Sequence, residues 1–267
     1  MTSKAKGIVG RVITKSLRRA DLKLSRISES DPAYQTASLL RHLGITTVFD
    51  VGANVGQYAM GLRRWGFAGR IISFEPQSQA FVQLQAHARA DGNWKAVNIA
   101  LGDREDTLNL RVSRNSFSSS LLSALPGELQ KEAGIEPVAS ELVPVMTLDS
   151  YCETERLDNE NIFLKLDVQG YELAVLRGAE LLLQRCKGVQ LEMALAPTYE
   201  GQPLIDGTIS ALYSHGFRLV QIQEGFKDDR LGYPLEVDGI FIPRGVGAWR
   251  TGDQFESINP YSQSTPN

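Results

Sequence analysis

The chain has 267 residues, 42% of them hydrophobic and 22% charged, an ordinary soluble balance with enough apolar material for one large core or two small ones. No run of about 18 apolar residues occurs, which argues against a spanning helix, and Cys152 and Cys186 stand too far apart for a CxxC or zinc-type pair, as expected of reduced thiols in a cytoplasmic protein. The net charge of −3 is uneven: residues 1 to 26 hold eight Lys/Arg and one Asp, a local +7, which leaves 20 basic and 30 acidic groups, or −10, on a body too acidic for a nucleic-acid backbone.

The basic start, MTSKAKGIVGRVITKSLRRADLKLSR, lacks the continuous apolar core of a signal peptide. Ile8, Val12, Ala20 and Leu24 share one helical face, so an amphipathic helix is expected. A solvated helix capping the domain is the plainer expectation; peripheral contact with an anionic membrane is the sharper one. From residue 46 apolar runs alternate with helical patterns. TTVFDV reads as a buried strand, NVGQYAMGLRRWG as a helix closed by Gly66, and RIISFEP as a second strand. The amphipathic SQAFVQLQAHARADG follows, and then KAVNIALGD as a third strand. TLNLRVS alternates like a half-exposed strand, whereas 114–142 reads as irregular. NIFLKLDV predicts a strand, GYELAVLRGAELLLQRC one helix, GVQLEMA a further strand, and residues 204–215 a helix. FRLVQI and DGIFIPR close the series as strands.

This alternation predicts an α/β protein with a largely parallel sheet. Three parts are expected: an N-terminal helical extension over 1–44, one domain over 45–244, and a loosely ordered tail over 245–267, rich in Gly, Ser, Pro and Asn.

The turn after the first strand is where an open α/β sheet binds its ligand. Its spacing, Asp50-x-Gly52-x-Asn54-x-Gly56, fails both the dinucleotide fingerprint and the phosphate loop. It offers instead a carboxylate for an ammonium group, small residues for close backbone approach, and an amide tolerant of unusual backbone angles. A zwitterionic amino acid satisfies that set. Glu75, at the end of the second strand, stands where an acid commonly accepts both ribose hydroxyls. An amino acid and a ribose without a pyrophosphate point to S-adenosylmethionine. Singly, Asp50 as a helix cap and Glu75 as a solvated acid are credible; together at this spacing they are the weaker reading.

FDVGANVGQYA, ISFEPQ, NIALGD, SFSSSL, VPVMTLDSY and FLKLDVQGYELAVLRGAE stand in the order seen in FkbM-type methyltransferases, and the chain resembles that family over roughly 45–243. The most specific part is Lys165-x-Asp167-x-x-Gly170-x-Glu172. The resemblance implies the class I methyltransferase (Rossmann-like) fold: a seven-stranded, mainly parallel sheet in order 3-2-1-4-5-7-6, helices on both faces, and an antiparallel final strand. It also implies that Asp50, Gly52, Asn54, Gly56 and Tyr58 line the methionine end of the cofactor, that Glu75 takes the ribose, that Ala100 and Leu101 border the adenine, and that Ser119 faces the cofactor from its loop. The activity implied is O-methylation of a sugar, glycan or secondary-metabolite hydroxyl; the alternative is carboxyl methylation to an ester.

Methyl transfer from a sulfonium is an in-line displacement, so alignment is the main demand. An alcohol also needs a base, whereas a carboxylate acceptor does not. Asp167 and Glu192, each at the carboxyl end of a strand, are the candidate catalytic acids, with a structural bond to the next turn an equal reading for Asp167. Lys165 shares a face with Asp167 and is expected to pair with it; Glu172 is expected to cap a helix. His42 and His215 sit at helix ends, His87 lies within a helix, and the three share no metal-ligand spacing; a divalent ion on Asp167 and Glu192 is an open alternative that the sequence does not show. Tyr199 and the 114–142 segment are expected to close over the acceptor.

Overall fold

Apolar runs flanked by glycine turns form the central strands, and the amphipathic stretches between them form the covering helices. The computed structural model describes residues 31–127, 133–155, 157, 160–225, 227–228 and 232–245. The helix expected around residues 8–24 and the tail beyond 245 lie outside them. The first half runs α1 (Pro32–His42), β1 (Thr47–Val51), α2 (Gln57–Arg64), β2 (Arg70–Phe74), α3 (Ser78–Ala90), β3 (Trp94–Val97), β4 (Ala100–Leu101), β5 (Asp106–Ser113) and β6 (Pro137–Met146). The second runs α4 (Leu148–Thr154), β7 (Ile162–Leu166), α5 (Glu172–Arg177), α6 (Glu180–Leu183), β8 (Cys186–Ala194), α7 (Ile205–Ser214), β9 (Phe217–Glu224), the short pair β10 (Lys227–Asp228) and β11 (Tyr233–Pro234), and β12 (Glu236–Pro243).

Seven strands form the main sheet in the order β3-β2-β1-β7-β8-β12-β9. Only β12 runs antiparallel to its neighbours, pairing β8 on one side and β9 on the other. Counted within this sheet, the order is 3-2-1-4-5-7-6 with an antiparallel last strand, the class I methyltransferase arrangement. The carboxyl ends of β1 and β7 therefore lie side by side at the point where the strand order reverses, with Asp50 beside Lys165.

The two faces of the sheet differ. One packs against α4 to α7 and is almost wholly apolar, with Phe49, Phe74, Leu164 and Leu191 shielded from solvent; each such side chain contributes about 1.5–3 kcal/mol. The other packs against α1 to α3 through Leu40, Leu62 and Leu84. On that face the strands turn polar toward their carboxyl ends. Ser73, Asp50, Lys165 and Gln190 are cross-strand neighbours in register, as are Glu192, Asp238 and Gln223. Helix α1 belongs to this layer. Asp31 caps it by accepting from the Ala33 amide at 2.9 Å and binds the Trp65 indole N–H at 3.0 Å.

Three departures from the sequence reading concern elements. KAVNIALGD is not one strand: Asn98 donates to the carbonyls of Glu75 (2.8 Å) and Pro76 (3.0 Å), turning the chain so that β4 leaves the main sheet. The segment read as irregular over 114–142 ends in β6, which joins β4 and β5 in a separate three-stranded sheet. Its early residues are mostly exposed, with Leu142 pointing outward, so no apolar alternation marks it. The single helix expected over 170–186 is two, α5 and α6, parted at Gly178. There a Cβ would lie 1.9 Å from the Gly102 carbonyl oxygen, and the Asp149 carboxylate accepts from the amides of Leu181 (3.0 Å) and Leu182 (2.9 Å) to start the second helix.

Candidate active site

The turn after β1 is built on close backbone contacts. Gly52 has φ +74°, and a Cβ there would sit 1.7 Å from the Asp167 carbonyl oxygen, so only glycine lets the β1 and β7 turns meet. Asn54 is itself left-handed (φ 48°), and its side-chain oxygen accepts from the Val55 amide at 2.8 Å. Its backbone N–H donates to Glu75 Oε2 at 2.7 Å, while Glu75 Oε1 accepts from Gln77 N–H at 2.8 Å. Burial pushes the Glu75 carboxyl up to about 7, against the lowering effect of those two amides.

These residues wall a cleft. Gly52, Asn54 and Glu75 form one side, Asp167 and Gln169 another, and Ala100, Leu101 and Tyr171 an apolar end; Ser119 and Ser120 close it from the loop after β5. The donor set suits S-adenosylmethionine. Each Glu75 oxygen has spent one lone pair on an amide and keeps one for a ribose hydroxyl. The apolar end matches an adenine, and the glycine cradle would be filled by any Cβ.

Three residues expected to line the methionine end lie elsewhere. Asp50 is fully buried beneath the turn, where Oδ2 accepts from Ser73 Oγ at 2.9 Å and Oδ1 lies 3.4 Å from Lys165 Nζ. Burial raises its carboxyl, with Lys165 and Ser73 acting against that. Tyr58 points under the sheet end, donating to Gln190 Oε1 at 3.0 Å with the Lys165 ammonium 5.3 Å from its ring centre. Gly56 (φ +93°) faces Trp94, whose ring would lie 2.7 Å from a Cβ. For Asp50 the reason is periodicity: the carboxylate of a strand's penultimate residue points into the α1–α3 face, not over the edge.

Lys165 is the hub of that layer. Its Nζ lies 3.3 Å from Asp167 Oδ2 as well as 3.4 Å from Asp50 Oδ1. Burial opposes its charge, but Asp167, Asp50 and Asp238 outweigh it and raise the ammonium. Asp238 itself is raised to about 6, by burial first and then by Asp167.

A second cavity of about 310 Å³ adjoins the cleft and shares Phe117, Asp167 and Gln169 with it. Glu192 and Glu236 complete its acidic wall, and Ser118, Ile135 and Thr198 are among its other lining residues. Burial, then Asp167, Glu236 and Glu172, raise the Glu192 carboxyl well above the usual carboxylate range. Between the two candidate acids stands Gln169, whose Nε2 is 3.0 Å from both Asp167 Oδ1 and Glu192 Oε2. Tyr199 OH lies 2.9 Å from Gln169 Oε1 and 2.9 Å from the Ser118 carbonyl, tying the β8 loop to the serine segment.

Asp167 and Glu192 thus meet in one cavity, and Asp167 also faces the cleft. Glu172 accepts from the amides of Val168 (3.0 Å) and Gly170 (3.2 Å), so it binds the turn before α5 and does not cap the helix as expected. His215 Nδ1 lies 2.8 Å from the Ala211 carbonyl at a helix end, and His87 Nδ1 2.8 Å from that of Val55. Gln169 and Glu236 were not singled out from the sequence. Gln169 carried one signal, its place inside the QGYE motif; Glu236, before DGIFIPR, carried none. Among the described residues no group of His, Cys, Asp and Glu is arranged to hold a metal, and no helix is long and apolar enough to cross a membrane.

No curated protein sequence matches the chain. Among solved structures it is similar to methyltransferase FkbM from Methylobacillus flagellatus KT (16% identity, TM-score 0.47), over 73% of this chain but 43% of that one. The chain therefore spans less than half the length of that relative. It is also similar to magnesium protoporphyrin IX methyltransferase from Synechocystis PCC 6803 with bound SAM (12%, TM-score 0.44, over 81% and 80% of the two chains). An rRNA methylase from Streptococcus thermophilus aligns at 10% identity and TM-score 0.43, over 82% and 99%. The family model for the methyltransferase FkbM domain matches residues 50–219, most of the main sheet and both turns of the site. The chain belongs to the FkbM family of S-adenosylmethionine-dependent methyltransferases.

Proposed function

We propose that the protein methylates a hydroxyl group of a sugar, glycan or other small metabolite. The observation that carries this reading is the position of Asp167 on the wall common to the cleft and the acidic cavity. S-adenosylmethionine, when bound, supplies an electrophilic methyl group on its sulfonium. Gly52, Asn54, Glu75, Ala100, Leu101 and Ser119 hold it in the cleft, while Asp50 and Tyr58 act indirectly by fixing Lys165 and the turn. Asp167 accepts the proton of the acceptor hydroxyl, and Glu192 binds the acceptor.

The acceptor-side wall weighs against ester formation. Asp167, Glu192 and Glu236 line the cavity, and no Lys or Arg joins them among the described residues. A carboxylate acceptor would meet the Asp167 carboxylate there with no cation lining the cavity beside it; a hydroxyl meets hydrogen-bond acceptors. The test is methyl-labelled S-adenosylmethionine incubated with the protein and a panel of monosaccharides, glycosides and small carboxylic acids, read by mass spectrometry. Labelled ethers are the expected product; labelled esters alone would establish the carboxyl reading instead.

A further inference from the structure

We propose that Gln169 is a positioning residue for methyl transfer: its side-chain amide clamps Asp167 and Glu192 together at the boundary of the two cavities and sets the direction in which Asp167 meets the acceptor hydroxyl. The inference rests on the hydroxyl-transfer reading above.

The backbone argument comes first. Gln169 has φ 54°, in the left-handed region, and Gly170 after it is also left-handed at φ 94°. Glycine would take the Gln169 angle without strain, so the glutamine side chain is held there against a conformational cost. Ser120 Oγ donates to the Gln169 carbonyl at 2.6 Å and pins the turn from the opposite wall.

The side chain then uses its whole bonding capacity. One primary amide has two N–H donors, and the two carboxyl oxygens at 3.0 Å take both. The Asp167 carboxylate sets which end of the amide faces the acids, since a flipped amide would turn its oxygen against it, and the Tyr199 hydroxyl lies 2.9 Å from Oε1 on the other side. Asp167 is thereby held from two sides, by Gln169 at Oδ1 and by Lys165 at Oδ2. Each oxygen keeps one lone pair, and only orientations that project it into the cavity remain. Glu192, tied through the same nitrogen, is held at a set distance from Asp167. A proton acceptor on one side and an acceptor-binding carboxyl on the other form a fixed pair, which is what an in-line transfer demands.

Gln169→Gly is the discriminating variant, because it keeps or improves the backbone fit while removing the clamp. On the best monosaccharide or glycoside of the panel it is expected to lower kcat about 10- to 100-fold, a larger factor than any change in the KM for S-adenosylmethionine, whose cleft Gln169 also lines, while the melting temperature holds. A kcat equal to that of the parent protein, with fold retained, overturns the proposal. A purely structural role would lower the melting temperature and leave the kcat of the folded fraction intact. Tyr199→Phe, which leaves the turn backbone untouched, is expected to lower kcat in the same sense by a smaller factor, and covers the case in which Gln169→Gly does not fold.

A second readout needs no acceptor. In the ¹⁵N–¹H spectrum of the full chain, the Gln169 side-chain NH₂ pair is expected to exchange slowly with solvent and to shift on Glu192→Gln and on Tyr199→Phe. A rapidly exchanging pair, insensitive to both substitutions, overturns the clamp whether or not any sugar is methylated. A slow, sensitive pair beside a panel without labelled ether would instead fault the hydroxyl-transfer reading alone.

Discussion

Asp167 and Glu75 sit on the same cleft but answer to different parts of the chemistry, and single substitutions separate them. Asp167→Asn keeps the shape and the bond from Gln169 while removing the proton acceptor. Hydroxyl methylation is expected to fall about 10²- to 10⁴-fold, with S-adenosylhomocysteine binding unchanged by calorimetry. Equal activity would remove Asp167 from the role of base. Glu75 works through the cofactor instead. Its carboxyl is pushed up to about 7 by burial, and ribose hydroxyls donate to the ionised form. Binding of S-adenosylhomocysteine is therefore expected to tighten about tenfold between about pH 6 and pH 8, the linkage of a single proton lost through a pKa near 7. Glu75→Gln should weaken binding and flatten that dependence. A pH-independent affinity in the parent protein would show that Glu75 does not meet the ribose as an anion.

At the scale of elements, the break at Gly178 opposes local propensity to packing. Alanine favours a helix over glycine by about 1 kcal/mol, and Gly178 has an ordinary φ of −84°, so Gly178→Ala looks stabilising on the chain alone. Its Cβ would lie 1.9 Å from the Gly102 carbonyl oxygen. The expected outcome is a net loss of about 2 kcal/mol, seen as a melting temperature lower by roughly 4–8 °C; an unchanged or higher value would mean that the Gly102 turn yields. The same contest explains which elements could be read in advance. Strands β1, β7 and β8 are apolar runs inside a buried sheet, and helices α2 and α3 are amphipathic and closed by glycine or by turn residues. Pattern and fold agree there, so the main sheet was legible. β6 was not, because its early residues face solvent and its partners lie far off in the chain. The split of α5 from α6 depends on a carbonyl some 75 residues earlier (Gly102), and no local pattern records it. The site divides likewise: the turn glycines and the acids at strand ends announce themselves, whereas Glu236 and the inward turn of Asp50 emerge only when β12 and β7 are laid beside β8 and β1. One trace of that layer is visible afterwards, in single polar residues interrupting buried strands: Asp50 in TVFDV, Lys165 in IFLKL, Gln190 in GVQLE.

At the scale of the whole molecule, two groups of carboxyls divide the chain's response to pH. Glu155 joins the far edge of the sheet to α4 through Arg70, Lys95 and Tyr151; burial works against its charge, but Lys95 and Arg70 prevail and hold it down at about 2. Asp91 is lowered as well, first by its bond to Arg63. Their stabilisation is present above the unfolded carboxyl values near 4 and is lost as pH falls below them. The site carboxyls run the other way. Glu75 and Glu172 are raised to about 7 and Asp238 to about 6, and Glu192 is raised as well, burial being the first cause for each. These keep protons that the unfolded chain releases at about 4, so their contribution is full below that value and is lost as pH rises through about 6 to 7. The cofactor-free protein is therefore expected to be most stable near about pH 5 and to lose stability toward about pH 8, with Glu75 alone contributing on the order of 3 kcal/mol to the decline. S-adenosylhomocysteine should oppose it, because its ribose favours the ionised Glu75 that the empty cleft disfavours. Melting curves across that range, with and without saturating S-adenosylhomocysteine, check both halves. The gap between the two curves should widen as pH rises, and Glu75→Gln should narrow it; a gap constant with pH would place the stored ionisation cost outside the cofactor cleft.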